Sequence, residues 1–462
     1  PQGLRLSEHR DTHLSELYSK SRKENNMGNE VLNVGIDFSR GRADFGIFGP
    51  QGEIINDHIA VSNSRTGYEQ FKARLVEVIQ TYELDEVKVT GEATSTYWMP
   101  FFMQLVKDPQ LNEYSIYPYL LNPKWVSWYK KTFPPDHKTD DRDCFYIAER
   151  TRTMPHLQEW QMDQAWLGLR FLTRLRYHLV QDLTREKNYY QAYLFVLNSA
   201  YTQHKPFQQL FGTTNSKILA DLEQIEAFSQ LDIRQLANCL QEMSGNRLRQ
   251  PLKNAQKLKM ITAEYFQIDP RLAQVLQRVL NEVLKHIQFI KGQIDTVNQL
   301  MQKEAESHPE VAILRTIPGI GQVFSCSIAA EIGDINRFLD GQKYDRKKKC
   351  YRSKNLRDAD ASVAKIAGLW WPRSASGSFE AQERRLSKTG NRYLRYHLIE
   401  AADRLRQWEP KYQAYYQKKL AETRNFSHKR ALVLTARKSI RLYVGLLHRR
   451  EPYRSEEGHV IA

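Results

Sequence analysis

The residues best placed to do chemistry lie in one short segment, K-T-D-D-R-D-C-F-Y-I-A-E-R, residues 138 to 150. It follows a Pro-Pro turn at Pro134 and Pro135, and Thr139 or Asp140 can cap the helix that it begins. Asp140 and Asp143, three residues apart, then project from one helical face, and Ile147, four residues further on, shares that face. An apolar neighbour on the same stripe turns the carboxylates toward packed structure, where two like charges repel unless a cation sits between them. A hard divalent metal suits that position.

Two more acids end apolar runs. Asp37 closes V-L-N-V-G-I-D-F-S beside a tight turn, and Glu92 closes E-V-K-V-T-G-E-A. Aspartate is depleted within strands, so Asp37 is expected at a strand end where it can leave the sheet. Alone, each acid reads equally well as a loop-facing carboxylate. Together with D-x-x-D on a following helix they can converge on one metal-binding corner. Four carboxylates so close call for about two divalent cations, the apparatus for in-line displacement at phosphorus. With oxygen ligands only, Mg²⁺ is the expected ion, with Mn²⁺ as the alternative. The chemistry expected is phosphodiester cleavage or transfer.

The surrounding sequence supplies elements able to place these groups. Val31 to Ser39, Ala43 to Phe48 and Glu53 to Val61 read as three strands joined by short turns, an antiparallel meander. A helix follows, with a capping box at Thr66 and Glu69 and a stripe of Phe71, Leu75, Val78, Ile79 and Tyr82. Next come the strand ending at Glu92, an aromatic helix near Tyr97 to Val106, a strand around Tyr114 to Leu121, and the helix of Asp140 and Asp143. That order gives a mixed α/β domain with its sheet covered on both sides. From about Trp166 the chain is helical. Residues 205 to 268 look polar and less regular, with short helices around Ser216 to Phe228 and Ile233 to Met243. Beyond Pro270, Leu272, Val275, Val279, Leu280, Val283, Ile287, Ile290, Ile294 and Val297 form the seam of a long coiled-coil helix, whose antiparallel partner is the long helix before it. The same seam can serve a second subunit.

The composition narrows the partners. The 462 residues, 41% hydrophobic and 11% aromatic, suffice for two to four folded domains. Lys and Arg number 68 against 53 Asp and Glu, a net charge of +15 that favours a polyanion, nucleic acid before a membrane. No run approaches the ~20 apolar residues of a spanning helix, and residues 1 to 30 are polar, so an intracellular, cytoplasmic protein is expected. Cys144, Cys239, Cys326 and Cys350 are scattered and form neither a zinc pattern nor a disulfide framework. His178, His286 and His397 lie on helices without partnered ligands and are expected to be structural.

The segments G-I-D-F-S, T-G-E-A and K-T-D-D-R-D, then a helical spacer, I-P-G-I-G, G-L-W-W-P-R-S-A-S-G and S-K-T-G-N-R-Y-L-R, resemble in that order the DEDD-type transposases of one class of bacterial insertion sequence. These are relatives of the Piv-type DNA invertases, and some members are bridge-RNA-guided recombinases. The resemblance covers roughly residues 31 to 445. It implies a RuvC-like (RNase H-fold) domain with Asp37, Glu92, Asp140 and Asp143 as metal ligands. It also implies a second catalytic centre, a serine before glycine, which here is Ser376, flanked by Ser374 and Ser378. In the family this serine attacks the scissile phosphate and holds one DNA end as a phosphoserine ester, while the acidic site comes from another subunit. Separating a poor nucleophile from the metals that activate it would make assembly the switch.

The domains expected are an N-terminal extension (1–30), a RuvC-like DEDD domain (31–155), a helical coiled-coil and oligomerisation region (156–306) and a helical C-terminal transposase domain (307–462). The partners expected are double-stranded donor and target DNA, a guide RNA encoded by the element, and further copies in a homodimer or homotetramer. Candidates for nucleic-acid contact are Lys138 and Arg142 beside the acids, the basic run Lys347, Lys348 and Lys349, and the cationic helix with Arg385, Lys388, Asn391, Arg392 and Arg395. Gly319 and Gly321 of I-P-G-I-G read either as a helix-hairpin-helix turn holding a phosphate or as a plain helix connection. Two other functions fit parts of the pattern: a Mg²⁺-dependent junction-resolving endonuclease that uses water, and a non-catalytic nucleic-acid-binding assembly protein.

Overall fold

The computed structural model describes residues 31–133, 140–154, 159–161, 164–220, 228, 230–345, 348–373, 375–376, 379–380 and 384–454, with backbone alone at 140, 141, 213, 220, 375, 376, 379 and 380. The chain divides into two compact units, 1–162 and 163–462.

In the first unit, alternation sets the sheet. Strand β1 (Val31–Phe38) buries Leu32, Val34, Ile36 and Phe38 on one face and turns Asn33, Gly35 and Asp37 to the other. β1 pairs antiparallel with β2 (Arg42–Phe48), which pairs antiparallel with β3 (Ile54–Ser62). Helix α1 (Arg65–Tyr82) and helix α2 (Met99–Leu105) cover the apolar face, against Phe71, Leu75, Phe101 and Phe102. The other strands, β4 (Glu86–Glu92) and β5 (Ser115–Leu121), run parallel to β1, giving the order β3-β2-β1-β4-β5. Two helices follow, α3 (Pro123–Lys130) and α4 (Asp140–Thr153), and α4 covers the second face.

The meander, the helix after it, the later strand, helix, strand and helix (β4, α2, β5 and α4) and the sheet covered on both sides correspond to the sequence reading, with two corrections. α1 starts earlier than a Thr66 and Glu69 capping box would place it: Ser64 is the cap, accepting from Gly67 N at 3.4 Å, and Glu69 instead pairs with Lys72 at 2.6 Å. Helix α3 was unexpected, although Asn122 caps it by accepting from Lys124 N at 2.9 Å and Pro123 fits its first position.

In the second unit, α5 (Gln164–Leu197) and α10 (Pro270–Ala305) lie antiparallel, as the contacts of Arg176 with Asn298 and of Glu186 with His286 show. Between them the chain forms α6 (Ser199–His204), α7 (Thr213–Ala220), α8 (Ile233–Met243) and α9 (Pro251–Glu264), packed around Tyr190, Tyr201, Leu236, Leu258 and Leu284. Residues 205 to 268 are therefore more regular than their polarity suggested: α8 matches the helix expected over Ile233 to Met243, and α9 is added where Lys253, Lys257 and Lys259 dilute a short stripe of Ala255, Leu258 and Ile261. The seam of α10 is also only partly used within the chain: Leu280, Leu284 and Ile287 are buried, whereas Leu272, Val275 and Val279 are exposed.

The rest of the unit is helical around one core: α11 (Pro309–Arg315), α12 (Gln322–Ile332), α13 (Leu356–Ala367), α14 (Arg392–Trp408), α15 (Pro410–Ala421) and α16 (Ser427–Arg449). Two hairpins interrupt it, β6 (Gln342–Asp345) with β7 (Cys350–Ser353), and β8 (Ala375–Ser376) with β9 (Phe379–Glu380). Among the described residues no helix is long and apolar enough to cross a membrane.

The sheet and α4 meet with no side chain between them at Gly35, where a Cβ would overlap the carbonyl oxygen of Cys144 and the amide of Ala148. Gly35→Ala should therefore push α4 off the sheet and cost about 1–3 kcal/mol, the range for overpacking. Chemical denaturation of the variant against wild type checks this, with an unchanged midpoint as the contrary result.

Candidate active site

β1 and β4 bring two acids side by side. Their parallel register pairs Ile36 with Gly91, so Asp37 and Glu92 are the next residues along each strand, at the carboxyl ends where α/β sheets hold ligands. Both strands bury the alternate residues, Ile36 and Val89 among them, against α1 and α2, so both acids face α4. The seat of α4 on Gly35 through Cys144 sets Asp143 beside them. Cys144 reinforces this seat by donating from Sγ to the Asp44 carbonyl at 3.0 Å.

The electrostatics register the crowding. Burial holds the Asp37 carboxyl above its ordinary range, and the charge of Asp143 pushes it further up while Lys130 opposes. Burial also raises Glu92; a hydrogen bond from Thr94 Oγ1 at 3.0 Å works the other way, and Asp37 and Asp143 add to the rise. The compensating cation is Lys130, at the end of α3, whose Nζ lies 2.6 Å from Asp143 Oδ2. Val126, four residues earlier on α3, packs with Ile147, four residues later on α4, so one contact between antiparallel helices fixes both pairs. Lys130 and Thr94 were not foreseen in the sequence. Asn122-Pro123 was the legible signal, since it starts the helix whose Val126 and Lys130 share a face.

The oxygens of Asp37, Glu92 and Asp143 make a donor set suited to a hard divalent cation, and the Lys130 ammonium supplies positive charge in their midst. Among the described residues, three acidic, histidine or cysteine side chains do not come close enough to hold an ion. The fourth expected acid, Asp140, is the first residue of α4, and its side chain lies outside the described set.

In the second unit, α13 ends at Gly368 with a left-handed φ of 68°, and the chain leaves the core at Trp370. It returns at Ser387, whose N donates to Trp370 O at 3.0 Å, closing the base of a loop. The β8–β9 hairpin lies inside that loop and pairs Ser376 with Phe379. The loop enters α14 through S-K-T-G-N, where Asn391 caps the helix by accepting from Tyr393 N and Leu394 N at 3.0 and 3.1 Å. The same Asn391 donates to the buried Glu331, which also takes a bidentate pair from Arg174 at 2.7 and 2.9 Å. Arg395 is likewise held inside, donating to the carbonyls of Ala367 and Lys388 at 3.0 Å.

The other sequence candidates separate clearly. Arg385, Lys388 and Arg392 are exposed near the loop, and Arg392 donates to Tyr393 OH at 2.9 Å. Lys348 and Lys349 are exposed between β6 and β7, while Lys138, Lys347, Ser374 and Ser378 lie outside the described residues. Arg142 is exposed on α4. Gly319 has a left-handed φ of 80° and lies against Arg404 and Trp408, whereas Gly321 starts α12 with open space at its Cβ position. Burial holds His397 down to about 4, and His178 bonds Tyr393 OH at 2.8 Å, so both have structural surroundings.

A family model for DEDD-type transposases of the IS110 group matches residues 34–198, and one for the transposase IS116/IS110/IS902 family matches 311–344 and 354–417. The chain belongs to the IS110 family of DEDD transposases. As such it is a transposase or recombinase of mobile elements, a class that cleaves and rejoins DNA. The first match spans the strands and helix that gather the acids of this IS110-family chain, and the second spans α13 to α14 with the Ser376 loop between them. No curated protein matches the chain.

The raised carboxyls give a testable sign. Below the ordinary carboxylate range Asp37 is protonated in both the folded and unfolded chain and costs nothing. As pH rises through its elevated folded-state value the unfolded chain ionises more readily, and the native state loses stability. Asp37→Asn, measured with a chelator present, should therefore raise the melting temperature at neutral pH by about 2–4 °C, the shift that roughly 1 kcal/mol produces. The gain should close as pH falls below the ordinary carboxylate range. A variant no more stable than wild type at neutral pH contradicts the crowding.

Proposed function

We propose that this protein cuts and rejoins DNA through a phosphoserine intermediate on Ser376, assisted by a divalent-metal corner of Asp37, Glu92, Asp140 and Asp143. One observation carries the reading: Asp37, Glu92 and Asp143 share one end of a sheet, near enough for their charges to raise the Asp37 and Glu92 carboxyls, although among the described residues they do not close to ion-holding distance and Lys130 pairs with Asp143. The β3-β2-β1-β4-β5 order, antiparallel on one side of β1 and parallel on the other, supports a RuvC-like (RNase H-fold) domain over 31–155. A coiled-coil region (156–306) and a C-terminal transposase domain (307–462) complete the arrangement.

Within this reading the residues divide the work. Mg²⁺ held by the four carboxylates would polarise a phosphate oxygen and stabilise charge at phosphorus. Strand register places Asp37 and Glu92, and the seat of α4 places Asp143, on neighbouring elements, so a bound ion has only to draw their side chains together. Lys130 neutralises the corner when empty and can turn toward a phosphate when it is filled. Ser376 Oγ attacks the scissile phosphate and gives up its proton, the P–O bond to the 3′ or 5′ oxygen breaks and that oxygen leaves protonated, and the DNA end stays joined to serine until the hydroxyl of a second strand end displaces it and a proton returns to Oγ. The Trp370–Ser387 closure and the Asn391–Glu331–Arg174 network hold the base of the serine loop. Arg385, Lys388 and Arg392 then lie beside it for phosphate contacts.

The net charge of +15 serves donor and target DNA, and a guide RNA encoded by the element is supported by the family resemblance. The exposed Leu272, Val275 and Val279 on α10 support a homodimer or homotetramer, in which the acidic corner of one subunit serves the serine of another. Such a protein works on the nucleoid, in the cytoplasm.

The test is denaturing electrophoresis and mass spectrometry after incubation with Mg²⁺, donor and target DNA and RNA transcribed from the element's flanks. A protein–DNA adduct on Ser376, abolished in Ser376→Ala and in Asp140→Ala, is the expected outcome. Cleaved DNA without an adduct, undiminished in Ser376→Ala, would mean a water-using endonuclease.

A further inference from the structure

The face of α3 opposite Val126 and Lys130 carries residues that the metal corner does not explain. Trp125 and Trp128 are 38% and 57% exposed, on a helix whose other face is fixed in the core. With Tyr129, Thr132, Arg150 and Met154 they line an open cleft of about 300 Å³. Exposed tryptophan is unfavourable in water, and two on a short helix beside a reactive corner call for a ligand with a flat apolar face.

Arg150 supplies the polar part. It lies seven residues after Asp143 on α4, two turns along the same stripe, about 10 Å away at 1.5 Å per residue. Its guanidinium sits over the Tyr129 ring, 5.3 Å from the centroid, and its Nε–H has no hydrogen-bond acceptor among the described residues. That Nε is itself buried, so what Arg150 offers the cleft it lines is the face of a cation already stacked on one aromatic ring, which suits a second flat π-system such as a base. Lys124, next in sequence to Trp125, and Lys131, next to Thr132, are exposed. A purely apolar protein surface would leave the Arg150 charge in the cleft unanswered.

We propose that the Trp125–Trp128–Tyr129–Arg150 cleft holds an unpaired nucleobase of the DNA strand whose phosphate lies at the acidic corner. The neighbouring acidic corner favours DNA, because on the DNA-cleavage reading the strand held there is DNA. At 3.4 Å per step along one strand, about 10 Å is some three nucleotides, so a strand cut at the carboxylates passes the cleft within that distance. A base can enter an aromatic cleft only when it is out of the helical stack, so the cleft selects DNA opened at the cleavage step. This rests on the DNA-cleavage reading and adds to it the state of the substrate.

The test is fluorescence anisotropy of full-length protein, in chelator, with a short labelled single DNA strand, the same strand with abasic sites, the same sequence as RNA, and the duplex. Trp128 is exposed, so its replacement leaves the core intact, and unchanged melting confirms folding. Trp128→Ala should bind the base-bearing DNA strand about tenfold more weakly or worse, the size of one lost stacking contact, and the abasic strand as wild type does. Trp128→Phe should restore most of the affinity and Trp128→Leu should not.

Equal losses for normal and abasic strands would overturn the proposal, as would wild-type binding by Trp128→Leu, which marks an apolar docking surface for protein. A Trp128 dependence seen with RNA and not with DNA would overturn it too. The serine adduct separates the two claims. Adduct formation without any Trp128 dependence removes the cleft alone, whereas base-dependent binding without an adduct removes the two-centre chemistry and leaves the cleft.

Discussion

Like-charge repulsion at the end of one sheet is the constraint on which the first unit depends. Asp37 and Glu92 are adjacent because β1 and β4 are parallel and in register, and Asp143 joins them because Gly35 lets α4 rest backbone to backbone on β1. Each of these contacts is ordinary alone. Together they hold carboxylates where burial and neighbouring charge disfavour ionisation, a cost that a folded chain keeps only where function requires it. Lys130 limits that cost with a cation tethered by α3.

The second unit meets its own constraint by rigidity. A serine is an ordinary nucleophile, so what the fold can supply is placement. The loop of Ser376 is pinned at its base by one backbone bond and by the capped start of α14, and that cap is tied through Glu331 to the long helix α5. The charged network is buried, so losing one partner would leave an uncompensated charge, which makes it a device for fixing one arrangement more than for adding stability.

Much of this was legible in the sequence for physical reasons. The strands of the meander and the long helices follow from alternation and apolar stripes, the places of Asp37 and Glu92 from acids at strand ends, and that of Asp143 from the D-x-x-D spacing on a helix. What escaped was carried by single local contacts. Ser64 displaced the Thr66 cap because Gly67 packs tightly against Ser62. Helix α3 was hidden by a tryptophan-rich sequence without a stripe, and with it Lys130 and the aromatic cleft. The basic run near Lys348 proved to include a β-ribbon in which Lys343 and Arg352 both bind Asp358 at 2.6 Å, so part of its charge is used inside the fold. The internal duties of Asn391 and Arg395 depend on contacts with α12 and α13 that no spacing within S-K-T-G-N-R reveals.

On the proposed reading, the carboxylates of Asp37, Glu92 and Asp143 exist to bind a divalent cation. The most direct measurement is calorimetric titration of Mn²⁺ into wild type, Asp37→Asn and Lys130→Met in the absence of DNA. Saturable binding by wild type, lost in Asp37→Asn and tightened in Lys130→Met where the tethered competitor is gone, is the expected result. Equal binding by all three proteins, or tight binding that survives in Asp37→Asn, would contradict it.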